Sequence, residues 1–300
     1  MSVLFSIIIV NYNSNKLLFN CLESLNNINY KECDYEVVVV DNCSEDSYIE
    51  ELENKKDEYN YKLVKNSSNE GFGAANNLGV KKSKGKYIFL VNPDTYLQDK
   101  NIFEKIIKDF ENDENIGIVG TKVLNRDGSI QSMGNRYPNI RNLFLEKVFF
   151  LNSNFMNKIF VDKKVEGLKK TGWVPGCFMG IKRDDYNEAD GFDENIFLYS
   201  EDIDLCLKIN ELNKKIMVDL DVSIYHLRGG ITEKKSSMKN FDRIDEEINT
   251  LYYVLKKHGI TENKILIKIM FYLNYSLNNI KEFIKKLFLK LAGEKNENTY

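Results

Sequence analysis

YIFLVNPDTYL, residues 87–97, opens as a run that is apolar on both faces and closes on Asn92, Pro93 and Asp94. A strand without a polar face must be covered on both sides, which points to a parallel sheet sandwiched between helices. Proline cannot donate to a sheet ladder, so the strand stops at Pro93 and hands Asp94 to the turn beyond it. There Asp94 either caps the turn or holds a ligand.

Working outward, Ser6–Val10 (SIIIV), Tyr35–Val40 (YEVVVV), Tyr61–Val64 and Ile116–Gly120 read as further strands, with Lys86–Val91 between the last two. Helical spacing of apolar residues follows most of them: Ser14–Leu25, a helix capped by Ser44 or Asp46, one entered through NEGFG, and Asp99–Phe110. This alternation predicts an α/β fold with a mostly parallel central sheet and helices on both faces. Ligands of such sheets sit beyond the carboxyl ends of the strands. Those ends carry Asn11, Tyr12 and Asn13, then Asp41 and Asn42, then Asn69, Glu70 and Gly71, then Asn92 and Asp94.

Beyond residue 127 the pattern loosens into a polar loop and an aromatic segment up to residue 170, the kind of insertion that covers a site and binds an acceptor. Trp173–Arg183 reads as a strand containing Gly176 and Gly180, followed by a helix from about Ser200 to Lys214 and the strand KIMVDLDVSIYH. Phe241–His258 and Lys264–Leu291 read as helices.

Composition narrows the function. The 300 residues are 43% hydrophobic with a net charge of −3, so a packed core is expected and no basic field points to nucleic acid. Five scattered cysteines form no C-x-x-C pair, which suggests reduced thiols in the cytoplasm. The N-terminal apolar run is too short for a secretory leader, and no run approaches the length of a membrane span. The first turn, VNYNSNK, lacks the glycine pattern of a dinucleotide fold, of a P-loop and of a sugar-nucleotide pyrophosphorylase. The sheet edge as a whole offers amides and carboxylates instead, groups suited to a sugar or base and to Mg²⁺ or Mn²⁺.

In order, SIIIVNYN, VVVVDNCSEDS, NEGFGAANNLGV, FLVNPDTYL, GCFMGIKR, GFDENIFLYSEDIDLCLK and YHLRGG resemble the inverting nucleotide-sugar glycosyltransferases of family 2 with the GT-A fold, in particular a rhamnosyltransferase-like branch. The resemblance covers about residues 3–232. It implies a catalytic domain over 1–235, with a nucleotide-binding half to 120 and an acceptor-binding half from 121, and leaves 236–300 as a helical extension.

By that resemblance Asn11, Tyr12, Asn13 and Asp41 contact a pyrimidine base, and Asn69, Gly71, Gly73 and Asn77 form the loop against ribose and donor sugar. Asp94 is the last carboxylate of a D-x-D metal motif written here as N-P-D, with Asn92 in place of the first aspartate, and His226 completes the coordination of a divalent cation. Arg228 adds positive charge beside the leaving diphosphate. Asp202 is implied as general base, with Glu201, Asp204, Trp173 and Gly176 on the acceptor side. Glu201 and Asp204 also suit a helix N-terminus on electrostatic grounds alone, and either structures the turn instead.

The implied reaction transfers a sugar, rhamnose from dTDP-rhamnose in the first instance, to a glycan or lipid-linked glycan of the cell surface. A UDP-hexose or UDP-N-acetylhexosamine donor is the alternative, and a non-catalytic nucleotide- or glycan-binding relative is the reading from another class. The tail mixes apolar residues with Lys264, Lys268, Lys281, Lys285, Lys286 and Lys290. That composition fits a helix lying on anionic lipid at the inner face of the membrane, and equally one packing on the domain or pairing in a homodimer.

Overall fold

The computed structural model describes residues 3–26, 28, 35–147, 166–227, 240–261, 263–277 and 279. The first half alternates as β1 (Phe5–Asn11), α1 (Asn15–Leu25), β2 (Tyr35–Asp41), α2 (Asp46–Lys55), β3 (Lys62–Lys65), α3 (Phe72–Lys81) and β4 (Tyr87–Val91). There follow β5 (Thr95–Leu97), α4 (Ile102–Asn112), β6 (Ile116–Leu124), β7 (Ile130–Ser132), α5 (Ile140–Lys147) and β8 (Leu168–Lys170). The chain continues through β9 (Phe178–Lys182), α6 (Arg183–Glu188), α7 (Glu201–Glu211), β10 (Lys215–His226), α8 (Asn240–Lys257) and a helix α9 over 264–277.

The strands form one sheet in the order β3-β2-β1-β4-β9-β6-β10-β5, with β7 on β6 and β8 on β10. β1 pairs in parallel with β2 and β4, and β2 with β3. β9 runs antiparallel to both β4 and β6 and restores β6 and its parallel partner β10 to the common direction. Mostly parallel is therefore correct, but an inverted strand from much later in the chain separates the fourth predicted strand from the fifth.

Continuous apolar runs produce two cores. Along β1, Phe5, Ile7 and Ile9 face one side with Val37, Val39, Phe89 and Phe103, while Ile8 and Val10 face the other with Val38, Val40, Ile88 and Leu90. Each fully buried side chain of this kind contributes about 1.5–3 kcal/mol of transfer free energy. α8 and α9 build a third core, in which Ile248, Leu251, Leu255, Ile267 and Phe271 pack with Leu143 of α5 and Ile203 and Leu207 of α7. One face of α8 and of α9 thus packs on the domain, one of the roles expected for the tail.

The expected strand over Trp173–Arg183 is shorter, because Pro175 and Gly176 turn the chain before β9 begins at Phe178. Arg228 and Lys281, Lys285, Lys286 and Lys290 lie outside the described residues.

Candidate active site

Two clusters form at the carboxyl edge of the sheet. The first closes the ends of β1, β2 and β3. Asn11 and Asp41 are register partners in the parallel ladder and both are fully buried. Asn11 donates from Nδ2 to Asn15 (2.9 Å) and, at 3.4 Å, to Asp41, while Asp41 accepts the Ser44 amide at 3.0 Å. Asn13 sits at φ 49°, takes the Glu45 amide on Oδ1 and gives its own amide to Ser44 Oγ. The turn after β2 is thus closed by Asp41 and Asn13, and α2 starts at Asp46 with no side-chain cap from Ser44 or Asp46.

Asn42 is the hub of this edge. It donates to Asn69 Oδ1 (2.9 Å) and to the Gly71 carbonyl (3.2 Å), and it accepts from Asn66 (3.1 Å). Gly71 has φ +95°, and a Cβ there would overlap the Phe197 carbonyl, which accepts the Phe72 amide at 3.1 Å. Glycine is needed on both counts.

Gly73 and Asn77, expected at the donor sugar, contact another segment of the chain. Gly73 leaves room for the Phe192 side chain, and Asn77 bonds the Phe192 backbone at both ends, Glu194 and the Tyr186 hydroxyl. They clasp the segment that leads into α7.

The second cluster follows from the hairpin-like return of the chain at N-P-D. Asn92 accepts the Thr95 amide, β5 begins at once, and β5 pairs antiparallel with the end of β10 so that Thr95 faces His226. Asp94 and His226 are brought together: Oδ1 and Nε2 lie 3.2 Å apart, and the Leu227 amide donates to the Asp94 carbonyl. Gln131 Nε2 lies 2.9 Å from His226 Nδ1. If Gln131 donates there, Nδ1 is the acceptor nitrogen and Nε2 carries the hydrogen; if the ring carries the hydrogen on Nδ1, Nε2 is free to ligate.

Asn92 Oδ1 is buried and has no hydrogen-bond partner among the described residues. Adjacent ligands of an octahedral ion with bonds near 2.1 Å lie roughly 3.0 Å apart, close to the observed pair. The spacing of Asp94 and His226 is compatible with two adjacent ligands of a divalent ion. No group of three Cys, His, Asp or Glu gathers for a metal among the described residues.

At the start of α7 lies a cavity of about 450 Å³ whose lining includes Trp173, Tyr199, Glu201, Asp202, Arg136 and Arg243. The chain enters it under strain. Tyr199 (φ 71°) and Ser200 (φ 65°) are consecutive non-glycine residues in the left-handed region, a conformation that tends to persist at working sites. The strain sets Glu201 and Asp202 on the first turn of α7. Asp202 accepts the Gly176 amide at 3.0 Å and the Ile203 amide at 2.8 Å. Gly176 touches Asp202, and the turn WVPG exists to deliver that N–H.

Burial raises the Asp202 carboxyl to about 6, against the opposing pull of the two amides. Glu201 is raised further, to about 8, by burial and then by the Asp202 charge, and its Oε2 is buried without a partner among the described residues. Burial therefore pushes both carboxyls of the pair above the ordinary range, and they titrate together.

Asp204 does not join them. It is fully buried on the opposite side of α7, bonded to His258 Nε2 (2.8 Å) and Lys257 Nζ (2.9 Å), with Lys208 at 3.8 Å. The acceptor-side expectation for Asp204 is corrected: it anchors α8, and the turn-structuring alternative describes it. Gln131, Arg136, Tyr199, Arg243 and His258 carry no local signal in the sequence, whereas Asn42 stood out as part of the polar edge after β2.

The sequence profile described as glycosyl transferase family 2 matches residues 6–188, more than half of the chain and stopping short of Asp202 and His226. Over 130 residues the chain is 29% identical to the poly(ribitol-phosphate) β-N-acetylglucosaminyltransferase TarS of Staphylococcus aureus, a match covering 43% of this chain and 23% of that one. The crystal structure of TarS 1-349 in complex with UDP-GlcNAc superposes with a TM-score of 0.60 at 18% identity, covering 90% of this chain and 70% of that one. The mannosyltransferase PcManGT from Pyrobaculum calidifontis, in complex with GDP-Man and Mn²⁺, gives a TM-score of 0.59 at 16% identity over 91% of this chain and 70% of that one. The rhamnosyltransferase WbbL of Escherichia coli is 30% identical over 152 residues, 47% of this chain and 54% of that one. The chain therefore spans only about a quarter of full-length TarS. The profile match over more than half of the chain and the common α/β frame lead to one classification: the chain has the GT-A fold and belongs to glycosyl transferase family 2.

Proposed function

We propose that this enzyme transfers a sugar from a pyrimidine nucleotide donor to a glycan hydroxyl by single displacement with inversion, Asp202 acting as general base. The observation that carries this reading is the Asp202 carboxylate, held by two backbone amides at the wall of a cavity large enough for a sugar, with a raised pKa suited to accepting a proton near neutrality. The acceptor O–H bond breaks as its oxygen bonds the anomeric carbon. The proton goes to Asp202, and the bond from anomeric carbon to phosphate oxygen breaks, releasing the nucleoside diphosphate.

The donor lies along the edge made by Asn11, Tyr12, Asn13, Asp41, Asn69 and Gly71, with its diphosphate toward Asn92 and Asp94. Asp94 and His226 would hold a divalent cation, which when bound would supply positive charge to the leaving diphosphate. Arg228 follows His226 by two residues in the sequence and is assigned to the same diphosphate. Trp173 and Glu201 face the acceptor, Glu201 as a neutral hydrogen-bond donor.

Two donors are in question. UDP-linked hexose or N-acetylhexosamine is favoured by the likeness to TarS, and dTDP-rhamnose by the likeness to WbbL. The acceptor is assigned to a cell-surface polysaccharide under synthesis at the inner face of the membrane. No described helix is long and apolar enough to cross a membrane.

A donor panel with Mn²⁺ or Mg²⁺, following nucleoside diphosphate release with the polysaccharide acceptor, tests the reading. Asp202→Asn is expected to lower kcat about 10²–10⁴-fold. Turnover at the wild-type rate in that variant sinks the base assignment.

A further inference from the structure

Residues 193–204 lead into α7 and carry Asp202, and one side chain of the helical extension holds both ends of them. Lys257 Nζ, at the end of α8, lies 2.7 Å from Asp193 Oδ2 and 2.9 Å from Asp204 Oδ1. Both carboxylates are withdrawn from water, with 9% and 0% of their side-chain surface exposed. Tyr253, one turn earlier in α8, donates its hydroxyl to the same Asp193 oxygen at 3.0 Å. Asp193 Oδ1 meanwhile accepts the Asn195 amide at 3.0 Å and closes the turn that follows it. Towards the other end of α8, the Arg243 guanidinium stands 5.7 Å from the centre of the Tyr199 ring.

Between the two anchors lies the left-handed pair Tyr199 and Ser200. Adjacent non-glycine residues in that region store strain, and they persist only where the surroundings over-determine them. Ser200 gives α7 no side-chain cap, so the restraint has to come from outside the turn. Attachment of α8 to α7 is already served by Asp204 with His258 and Lys257. The second reach of Lys257, back to Asp193, serves the segment ahead of α7 instead: with both ends on one ammonium, the chain between them cannot unwind without breaking a shielded ion pair.

We propose that Lys257 is a positioning residue for the general base: by bridging Asp193 and Asp204 it holds the left-handed turn at Tyr199 and Ser200, and with it the placement of Asp202 against the Gly176 amide. This rests on the reading of Asp202 as the base. Lys257 acts only through the two carboxylates it joins, and the helical extension becomes part of what sets the catalytic geometry.

Asp193→Asn is the decisive variant. It keeps an Oδ1 acceptor for the Asn195 amide and leaves the Asp204 cluster whole, but it removes the charge that faces Lys257. kcat is expected to fall about tenfold to a hundredfold, the scale of a small displacement of a reacting group. A second readout needs no turnover: carbon-13 NMR of protein labelled at the aspartate carboxyl carbon, with Asp202→Asn identifying the Asp202 signal. Burial raises that carboxyl to about 6, so a turn relaxing toward solvent is expected to bring it down toward the ordinary value of about 4. Lys257→Met is expected to do the same, and Lys257→Arg to retain more of both the rate and the pKa because it still offers N–H groups to two carboxylates.

Wild-type kcat with an unmoved Asp202 pKa in Asp193→Asn overturns the proposal whatever happens to the thermal midpoint, because the bridge then serves stability alone. A lowered kcat with an unmoved pKa overturns it too, since the loss then arises away from Asp202. Lys257→Arg as impaired as Lys257→Met removes the bridging charge from the account and has the same force; if Lys257→Met does not fold, Asp193→Asn still decides. Wild-type turnover in Asp202→Asn, with the pKa still lowered by Asp193→Asn, sinks the base assignment and leaves the positioning of the carboxyl standing. An inactive Asp202→Asn beside an Asp193→Asn silent in both readouts sinks the positioning alone.

Discussion

Removing Asp204 tests whether the helical extension is clamped to α7 by buried charge. Asp204 has no exposed surface, His258 is nearly as buried, and Lys257 is about a third exposed on its side chain. Asp204→Ala leaves an imidazolium and an ammonium facing each other without their shared carboxylate. Breaking a buried ion cluster costs about 3–5 kcal/mol, and the partial exposure of Lys257 places this one near the lower end, about 3 kcal/mol.

The pH dependence has a definite sign. Burial opposes the Asp204 charge, but the bonds from His258 and Lys257 outweigh it and hold its pKa below the ordinary value. That contribution is present above the unfolded aspartate pKa of about 4 and is lost as pH falls through the lower folded value. Burial likewise opposes the His258 charge, but its bonds to Asp204 and Glu211 outweigh it and raise its pKa. That contribution is complete below the unfolded histidine value of about 6.5 and is lost as pH rises through the higher folded value. The cluster therefore contributes most between about pH 4 and 6.5.

Urea unfolding followed by circular dichroism, at pH 6 and pH 9, measures both effects. Wild type is expected to lose stability over that interval, and Asp204→Ala to start about 3 kcal/mol lower with a flatter response. A variant within about 0.5 kcal/mol of wild type at pH 6 refutes the clamp, that being the ordinary scatter of surface substitutions.

Three further outcomes follow from the same geometry. Under acceptor saturation kcat is expected to rise with pH through an apparent pKa near 6 as Asp202 loses its proton, and Asp202→Asn is expected to abolish that limb in a pH-rate profile. Chelation by EDTA is expected to stop transfer, and Asn92→Asp to lower the Mn²⁺ concentration giving half-maximal rate, because the orphaned oxygen gains a charge; an unchanged Mn²⁺ requirement rejects Asn92 as a neighbour of the metal. α9 exposes Ile265, Ile269 and Leu273 at a spacing of one turn, and the only charged residues of 264–277 are Lys264 and Lys268. Anionic but not neutral liposomes are expected to float the protein, and Ile265→Asp with Ile269→Asp to prevent it; undiminished flotation of that double variant sends the contact elsewhere.

Local physics explains which parts of this were legible in advance. Runs such as SIIIV and YEVVVV can only be strands covered on both faces, and they led directly to β1, β2 and β4 and to the polar edge beyond them. Asp94 and His226 were expected at one site, and β5 pairing with β10 brings them there. The inversion of β9 was not legible, because FMGIK reads the same in either direction. Nor was the division among Glu201, Asp202 and Asp204: all three favour a helix start, and only cations arriving from α8 distinguish the last of them. Asn77 looked like part of a nucleotide loop because its partners, Tyr186, Phe192 and Glu194, lie more than a hundred residues ahead.

That clasp bears on how such enzymes exchange specificity. Gly71, Gly73 and Asn77 are shaped to the backbone and side chains of residues 186–197, so the segment leading into α7, with the proposed base Asp202, and the loop after β3 form a single interlocking part. A chimera that imports another relative's residues 186–204 alone places foreign side chains against glycines with no space to yield. Donor and acceptor preferences are then inherited as a linked pair, and recombination within the family has to cut outside both segments to produce a folded enzyme.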